Sequence, residues 1–268
     1  MKELSLQEVK DIELDILIYF NEFCKENNIR YFLAFGTLLG AVRYHGFIPW
    51  DDDVDVLVPR EDYNRLLSLF QDDEKYRLYA FERNDKYRFP FAKLTNSKTR
   101  LIELAYPNNG VDLGVSIDVF PLDYWHDDYE LAQKEVRLIA KDVSFMGWTK
   151  ANTIETNNPI RFVIWKAIIS YCKLRGSGHY IKKITKRSTK YNKVSSIYAG
   201  AKVWPIWGDR CIIPAEVFEE CVDIEFEGHF FPAPIGYDTY LTTLYGDYMP
   251  EPPVEKRKTH HSFKAYRL

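Results

Sequence analysis

The spacing of hydrophobic and polar positions predicts an α/β fold, with strands and helices mixed in the first half of the chain. Apolar residues recur at helical spacing after Ser5 and Glu8, which match a helix with an N-terminal capping box. The β-branched and aromatic run IRYFLAF, residues 29–35, predicts a strand, and Gly36-Thr37 predicts a tight turn after it. Further elements follow the same two periodicities: a helix over 38–44, a strand over 53–58, a helix over 61–70, a hairpin or two neighbouring strands over 89–94 and 99–104, and a strand over 115–120 ended by Pro121.

Beyond residue 126 the pattern becomes mostly helical. We predict helices over 127–191, an irregular stretch over 195–212, a short hairpin over 224–231 and a helix over 237–245. The chain has no internal repeat. We therefore expect three parts: a mixed-sheet core with flanking helices over 1–126, a helical and basic segment over 127–208, and a C-terminal segment over 209–268.

Composition is typical of a soluble intracellular protein with a sizeable core. Of the 268 residues, 46% are hydrophobic and 16% aromatic, and the formal net charge of −3 does not suggest nucleic-acid binding. The four cysteines form no CxxC pair and have no metal-ligand spacing, which fits reduced thiols in the cytosol. The N-terminus MKELSLQEVKDIE contains no apolar signal region, and the apolar run 162–172 is interrupted by Lys166. We expect a protein that does not cross a membrane.

One segment departs from the even distribution of charge. Between Thr156 and Gly208 there is no Asp or Glu, whereas eleven residues are basic: Arg161, Lys166, Lys173, Arg175, Lys182, Lys183, Lys186, Arg187, Lys190, Lys193 and Lys202. Such a segment is usually a solvated helical face, but it also attracts anionic surfaces such as lipid headgroups or a polyphosphate. The sequence leaves both a solvated face and peripheral membrane contact open.

The stretch FIPWDDDVDVLVPR, residues 47–60, concentrates negative charge on a predicted strand. Side chains alternate along a strand, so Asp53 and Asp55 point to one side while Val54 and Val56 point to the core. Two carboxylates this close raise each other's pKa unless a cation lies between them, and oxygen ligands suit Mg²⁺. An exposed edge strand with solvated acids is the alternative, and the apolar flanks of the run argue against it.

Two further features surround this acidic strand. Asp118 lies inside the apolar strand VSIDVF, where a carboxylate is costly unless it is paired or binds a metal. Gly36-Thr37, between a strand and a helix, offers backbone N–H groups and a hydroxyl to a phosphate. Asp118 alone is explained by a structural role, but a Gly-Thr turn, an Asp-x-Asp strand and a third strand Asp together resemble the nucleotidyltransferase superfamily.

A closer resemblance covers three separated motifs. FGTLLGAVRYHGFIPWDDDVDVLVPR, residues 35–60, is similar to the signature of the LicD family, the phosphocholine transferases of bacterial surface-glycan synthesis; fukutin-related protein is a distant relative. The similarity continues through FPFAKL and SIDVFPLD and returns at YLTTLYGDYMPEPPVEKRKTHH, residues 240–261. It implies a nucleotidyltransferase-like fold whose active site is completed by residues 209–268. The metal-binding Cys cluster of the animal relatives has no counterpart, so no structural zinc is expected.

The resemblance implies transfer of phosphocholine from CDP-choline to a sugar hydroxyl of a teichoic acid or other glycan precursor, lipid-linked, with release of CMP. Asp53, Asp55 and Asp118 would hold one or two Mg²⁺ ions, or Mn²⁺, and Asp118 is a candidate base for the hydroxyl proton. Phosphate contacts would come from Gly36, Thr37, Arg43, Lys93, Arg257, His260 and His261. For Lys93, a surface lysine with a solvated ammonium is an equally open interpretation.

A choline head group requires aromatic side chains, because a quaternary ammonium binds to π faces. The candidates in predicted loop regions are Trp50, Tyr124, Trp125, Trp204 and Trp207, each of which core packing also explains.

Two other functions fit the residues. The first is a nucleotidyltransferase that moves NMP from an NTP to a glycan or to a small molecule such as an aminoglycoside, with the same three acids. The second is a non-catalytic protein that binds glycan or lipid surfaces through its basic segment.

Overall fold

The computed structural model describes residues 2–103, 109–151, 156, 158–193, 196–257 and 263–268. Strands and helices alternate in its first half, and helices dominate the middle, as predicted. The elements of the described residues are β1 (Lys2–Glu3), α1 (Leu6–Glu26), β2 (Phe32–Leu33), α2 (Phe35–Tyr44), β3 (Asp55–Pro59), α3 (Arg60–Leu69), β4 (Tyr76–Tyr79), β5 (Ala92–Asn96), β6 (Thr99–Glu103), β7 (Ser116–Tyr124), α4 (Tyr129–Trp148), α5 (Pro159–Arg175), α6 (Ser177–Ser188), β8 (Tyr198–Gly200), β9 (Ile213–Pro214), β10 (Cys221–Phe226), β11 (His229–Pro234), α7 (Tyr237–Tyr245) and β12 (Phe263–Arg267).

A mixed sheet in the order β2-β3-β7-β5-β4 forms the centre of the fold, and β8 and β9 extend it from the end of β7. Strands β3 and β7 are parallel, and the other pairs are antiparallel. Because β3 is paired on both sides, the interpretation of the acidic run as an exposed edge strand is wrong. Val54, Val56 and Val58 are fully buried, as the alternation predicts.

Helix α1 packs against β5 and β7 through its apolar face, which buries Ile16, Leu17 and Phe20. It begins with the predicted capping box: the Glu8 N–H donates to Ser5 Oγ at 3.2 Å, and the Ser5 N–H donates to the Glu8 carboxylate at 2.9 Å. The main cluster of buried apolar side chains includes residues from all three predicted parts of the chain. The division of the chain at 126 and 208 stays a prediction.

The predicted turn at Gly36-Thr37 is wrong, because both residues lie in the first turn of α2. The helix begins at Phe35, and the Leu38 N–H donates to Ala34 O at 3.0 Å. Phe35 has a φ of 43°, so the chain reverses sharply at this residue, directly after β2. The strand predicted over 29–35 is therefore reduced to Phe32–Leu33.

Two strand predictions also need correction. The strand predicted to end at Pro121 continues to Tyr124. The Asp118 N–H donates to the backbone oxygen of Val54, directly before β3. By alternation, the position where Pro121 lacks an N–H faces the other side, toward β5, and the ladder between β5 and β7 already ends at Val119. Strands β5 and β6 do not pair with each other. Strand β5 joins the central sheet, whereas β6 pairs with β12 in a small sheet of order β1-β12-β6.

The C-terminal half follows the predicted pattern closely. Helices α4, α5 and α6 occupy most of the described residues in the stretch predicted to be helical. Strands β10 and β11 form the predicted hairpin with longer arms, and α7 has the predicted bounds. The stretch expected to be irregular contains β8 and a 3₁₀ turn at Gly208–Cys211. All four cysteines are free thiols. Among the described residues, none of the helices combines the length and the apolar character needed to span a membrane.

Gly40→Ala is expected to destabilise the protein by about 1–3 kcal/mol, because its Cβ would overlap the backbone carbonyl of Gly46 in the loop before β3. The matched control is Gly147→Ala in α4, where a Cβ meets nothing within 4 Å and helix propensity predicts a gain of up to about 1 kcal/mol. Urea denaturation of both variants measures the difference. Equal stabilities would contradict the close packing of α2 against this loop.

Candidate active site

The two acidic strands meet in register at the centre of the sheet. Asp55 on β3 pairs with Asp118 on the parallel strand β7, and Asp118 pairs with Lys93 on the antiparallel strand β5. Residues in register on neighbouring strands point to the same face at a spacing of roughly 5 Å. The three residues therefore form one row, carboxylate–carboxylate–ammonium, across three adjacent strands.

This row lies at a cavity of about 920 Å³, and Asp51, Asp53, Asp55 and Asp118 line it. The carboxylate oxygens of Asp51, Asp52 and Asp53 approach within 4.8 Å of one another. Asp53 precedes β3 rather than lying within it, yet it faces the same cavity as Asp55. Most of the wall is apolar or aromatic. Trp50 directly precedes the acids in the sequence, whereas the other wall residues come from distant segments: Trp204, Ile206, Trp207, Tyr245 and Tyr248.

The electrostatics of this acid cluster favour a bound cation. Burial, and then the charges of Asp53 and Asp118, raise the pKa of Asp55 well above its usual value. Glu13 of α1 is buried nearby, and burial, followed by the charge of Asp53, raises its pKa in the same way. A divalent ion with oxygen ligands would relieve this repulsion, and carboxylates are the ligands that Mg²⁺ and Mn²⁺ prefer. The residues present therefore fit such an ion.

Lys93 belongs to the acid cluster rather than to the surface. Its ammonium donates to Asp118 Oδ1 at 2.5 Å, and its side chain is only 12% exposed, so the interpretation as a solvated surface lysine is wrong. Burial, the largest single cause, lowers the pKa of Lys93, but the charges of Asp118, Glu103 and Asp55 and the hydrogen bond to Asp118 together raise it, and the net shift is upward. Lys93 is thus a fixed positive charge that neutralises part of the cluster.

Gly36 and Thr37 are neighbours in the chain but lie in different surroundings. Gly36 lines the cavity, and a Cβ at this position would lie 2.5 Å from Asp51 Oδ2. Thr37 is buried, and its Oγ accepts the Asp55 N–H at 2.8 Å, so this side chain fixes the start of β3. Arg43 lines the cavity as well and donates to Pro250 O at 3.3 Å.

The C-terminal motif contributes the rim of the cavity. Arg257 contacts Glu251 at 2.7 Å, donates to Pro252 O at 2.8 Å and lies over the Trp50 ring at 5.4 Å. Glu251, Pro252 and Trp50 all line the cavity. The predicted contacts His260 and His261 lie outside the described residues.

Of the five aromatic candidates, the cavity brings together Trp50, Trp204 and Trp207. Trp125 is fully buried and donates to Cys211 O at 2.9 Å, so it has a packing role. Tyr124 is not part of the cavity lining.

Several residues of the site were missed by sequence reasoning. Glu13 had a detectable signal, because it occupies the helical face of Val9, Ile16 and Phe20, where a carboxylate is unusual. Tyr245, Asp247 and Tyr248 line the cavity from the YGDY segment, which was recognised as a motif but not assigned a role.

The chain is similar in sequence to one protein family and to several known proteins. Residues 28–146 match the family model described as "LicD/FKTN/FKRP, nucleotidyltransferase domain". The chain is 32% identical to the lipopolysaccharide cholinephosphotransferase LicD of Haemophilus influenzae over 100% of both chains. It is also 41% identical over 75 residues to an uncharacterised protein of Rickettsia typhi, covering 26% of this chain and 24% of that one. An uncharacterised protein of Rickettsia prowazekii is 44% identical over 55 residues, 20% of this chain and 21% of its own length.

Proposed function

Because the chain belongs to the LicD/FKTN/FKRP nucleotidyltransferase family, we propose that it is a cholinephosphotransferase that takes phosphocholine from CDP-choline. The acceptor would be a sugar hydroxyl of lipopolysaccharide, teichoic acid or a related lipid-linked glycan precursor, and CMP would be released. The full-length similarity to a lipopolysaccharide cholinephosphotransferase supports this group and this class of acceptor. The proposed location is the cytoplasm, at the inner face of the membrane.

The observation that carries the proposal is the juxtaposition of the acid cluster with an aromatic wall in one cavity. A nucleoside diphosphate linked to choline has two features that need opposite surroundings. Its diphosphate requires cations, and its quaternary ammonium requires π faces. Asp53, Asp55 and Asp118 would answer the first need by holding one or two Mg²⁺ or Mn²⁺ ions. Trp50, Trp204 and Trp207 would answer the second.

In the proposed reaction the sugar hydroxyl attacks the phosphorus that carries choline, and the bond between that phosphorus and the CMP oxygen breaks. A bound divalent ion would stabilise the charge on the attacking and leaving oxygens. Because Gly36 has no side chain, the Asp51 carboxylate can lie against its backbone, and Arg43 and Arg257 would supply positive charge beside the phosphates. Lys93 and Thr37 act through the acids, by fixing Asp118 and the Asp55 backbone.

Calorimetric binding tests this proposal directly. The wild-type protein is expected to bind CDP-choline with Mg²⁺ and much more weakly without it, and Asp53→Asn is expected to lose the Mg²⁺-dependent part. CTP, UTP and ATP are the comparison ligands. A preference for a nucleoside triphosphate would contradict the proposal and favour nucleotidyl transfer. Absence of any metal-dependent nucleotide binding would favour a non-catalytic surface-binding protein.

Trp207→Ala is expected to weaken CDP-choline binding roughly tenfold while changing CDP binding by less than about twofold, because the ring would contact only the choline end. Trp207 is 36% exposed, so its removal leaves the core intact. Trp165→Ala in α5 is the matched control, since Trp165 is 37% exposed and does not line the cavity. Equal losses for CDP-choline and CDP would place Trp207 outside the choline subsite.

A further inference from the structure

Helix α5 presents an apolar face that nothing in the described structure covers. The helix packs on α4 and α6 along its inner side, where Trp165 contacts Trp148 with ring centroids 4.9 Å apart and Cys172 is buried. Cys172 is the one α5 residue that is buried, although α5 is 17 residues long. The remaining side chains are exposed or half-buried.

The exposed apolar residues of α5 form a continuous stripe. Ile160, Val163, Ile164, Ala167, Tyr171 and Leu174 recur at intervals of three and four residues, which places them on one side of a 3.6-residue helix. Their exposure is high: 71% for Ile160, 66% for Val163 and 85% for Leu174. A helical face that is exposed to water is normally polar, so this stripe is inconsistent with an ordinary solvated face.

Basic residues flank the stripe on both sides. At 100° per residue, Lys166 and Lys173 lie along one flank, and Arg161 and Arg175 lie along the other. None of the five polar side chains of α5 is acidic. The neighbouring helix α6 adds the exposed Lys182 and Lys186. An apolar stripe with basic residues on each side complements a surface that has an apolar interior and an anionic outer layer.

We propose that α5 lies in the headgroup region of an anionic bilayer, parallel to the membrane plane. Its apolar stripe would insert at the boundary of the acyl chains, and its Lys and Arg side chains would extend to the phosphates. The helix cannot cross the bilayer in this arrangement, because its inner side is packed against α4 and α6. A second protein or a second copy of the chain would cover the apolar stripe equally well, but it would not account for basic residues on both flanks and the absence of acids.

Vesicle flotation with the full chain tests this inference without any donor or acceptor, so it is independent of the proposed transferase activity. The protein is expected to float with vesicles of phosphatidylglycerol and phosphatidylcholine, and to float much less with phosphatidylcholine alone or at high salt. Val163→Ser combined with Leu174→Ser is expected to weaken binding at least roughly tenfold. Lys166→Gln combined with Lys173→Gln is expected to weaken it roughly thirtyfold.

Matched controls lie on other surfaces of the molecule. Phe230→Ser on β11 removes a side chain that is 62% exposed, and Lys25→Gln removes an exposed lysine of α1; both are expected to leave flotation unchanged. The inference is overturned if the wild type does not float with anionic vesicles, or if the α5 variants float as well as the controls. It is also overturned if light scattering finds a dimer that the α5 substitutions dissociate and that does not bind vesicles.

Discussion

Asp55→Asn is expected to reduce the transferase rate at least about a thousandfold, because the proposed metal-binding carboxylate at the reacting phosphate would contribute about 4 kcal/mol of transition-state stabilisation. Asp55 is the central acid of the site: it lines the cavity, it pairs in register with Asp118, and its backbone N–H donates to Thr37 Oγ. Asparagine preserves the shape of the Asp55 side chain and removes its negative charge. The measurement is CMP release from CDP-choline with a glycan acceptor, with Asp11→Asn on the exposed face of α1 as the control.

The same substitution is expected to leave the metal-free protein as stable as the wild type, or more stable. The pKa of Asp55 is raised in the folded state by burial and by Asp53 and Asp118, so folding disfavours its charged form. The resulting loss of stability develops as the pH rises above the pKa of about 4 that Asp55 has in the unfolded chain, and it is complete above the pKa of Asp55 in the folded protein. Asn does not titrate. With a chelator present, the melting temperature of Asp55→Asn minus that of the wild type should increase with pH from about 4 upward. An Asp55→Asn variant that lost its fold as well as its activity would contradict the assigned role.

Asp123→Ala is expected to lower the free energy of unfolding by about 3–5 kcal/mol, because it leaves the buried Arg60 guanidinium without its partner. Arg60 Nε and Nη2 donate to the two carboxylate oxygens of Asp123 at 2.8 and 2.6 Å, and the Asp123 side chain is fully buried. Asn192 donates to the same carboxylate at 2.5 Å. The ion pair joins Arg60, the first residue of α3 directly after β3, to the end of β7. Arg60 and Asp123 lie five residues beyond Asp55 and Asp118 in the chain.

Urea denaturation measures this loss, and Lys75→Ala is the comparison, because its ion pair with Asp15 is about half exposed and is expected to contribute less than about 1 kcal/mol. A double variant, Arg60→Met with Asp123→Leu, removes both charges and is expected to recover a large part of the stability lost in Asp123→Ala. If Asp123→Ala costs no more stability than Lys75→Ala, the pair does not hold together the two strands that carry Asp55 and Asp118.

The parts of the fold that the sequence predicted are those governed by local patterns. The capping box at Ser5, the Val positions of β3 and the bounds of α7 all follow from periodicity and composition within a few residues. The predicted turn at Gly36-Thr37 was wrong because the conformation of this segment depends on contacts with residues that are distant in the sequence. The Phe35 N–H donates to the hydroxyl of Tyr240, 205 residues away in the chain, and this contact has no local signal.

The candidate site shows the same division. The acids were proposed from the sequence because carboxylates in apolar strands are unusual. Asp53 and Asp55 do face the same cavity, as alternation predicted, although Asp53 precedes β3. The Lys93–Asp118 pair depends on the register of β5 against β7, which the sequence does not specify. The choice of Trp50, Trp204 and Trp207 among many aromatic residues required the cavity itself, because its walls come from segments that fold together only in three dimensions.

The most direct test of the central claim follows the fate of an isotopic label. CDP-choline carrying deuterated choline is incubated with the protein, Mg²⁺ and a lipopolysaccharide acceptor, with Asp55→Asn as the blank, and the products are identified by mass spectrometry. The proposed function predicts free CMP together with a glycan that has gained both the phosphate and the deuterated choline. A glycan that has gained CMP, with labelled phosphocholine free in solution, would contradict it and show attack at the other phosphorus.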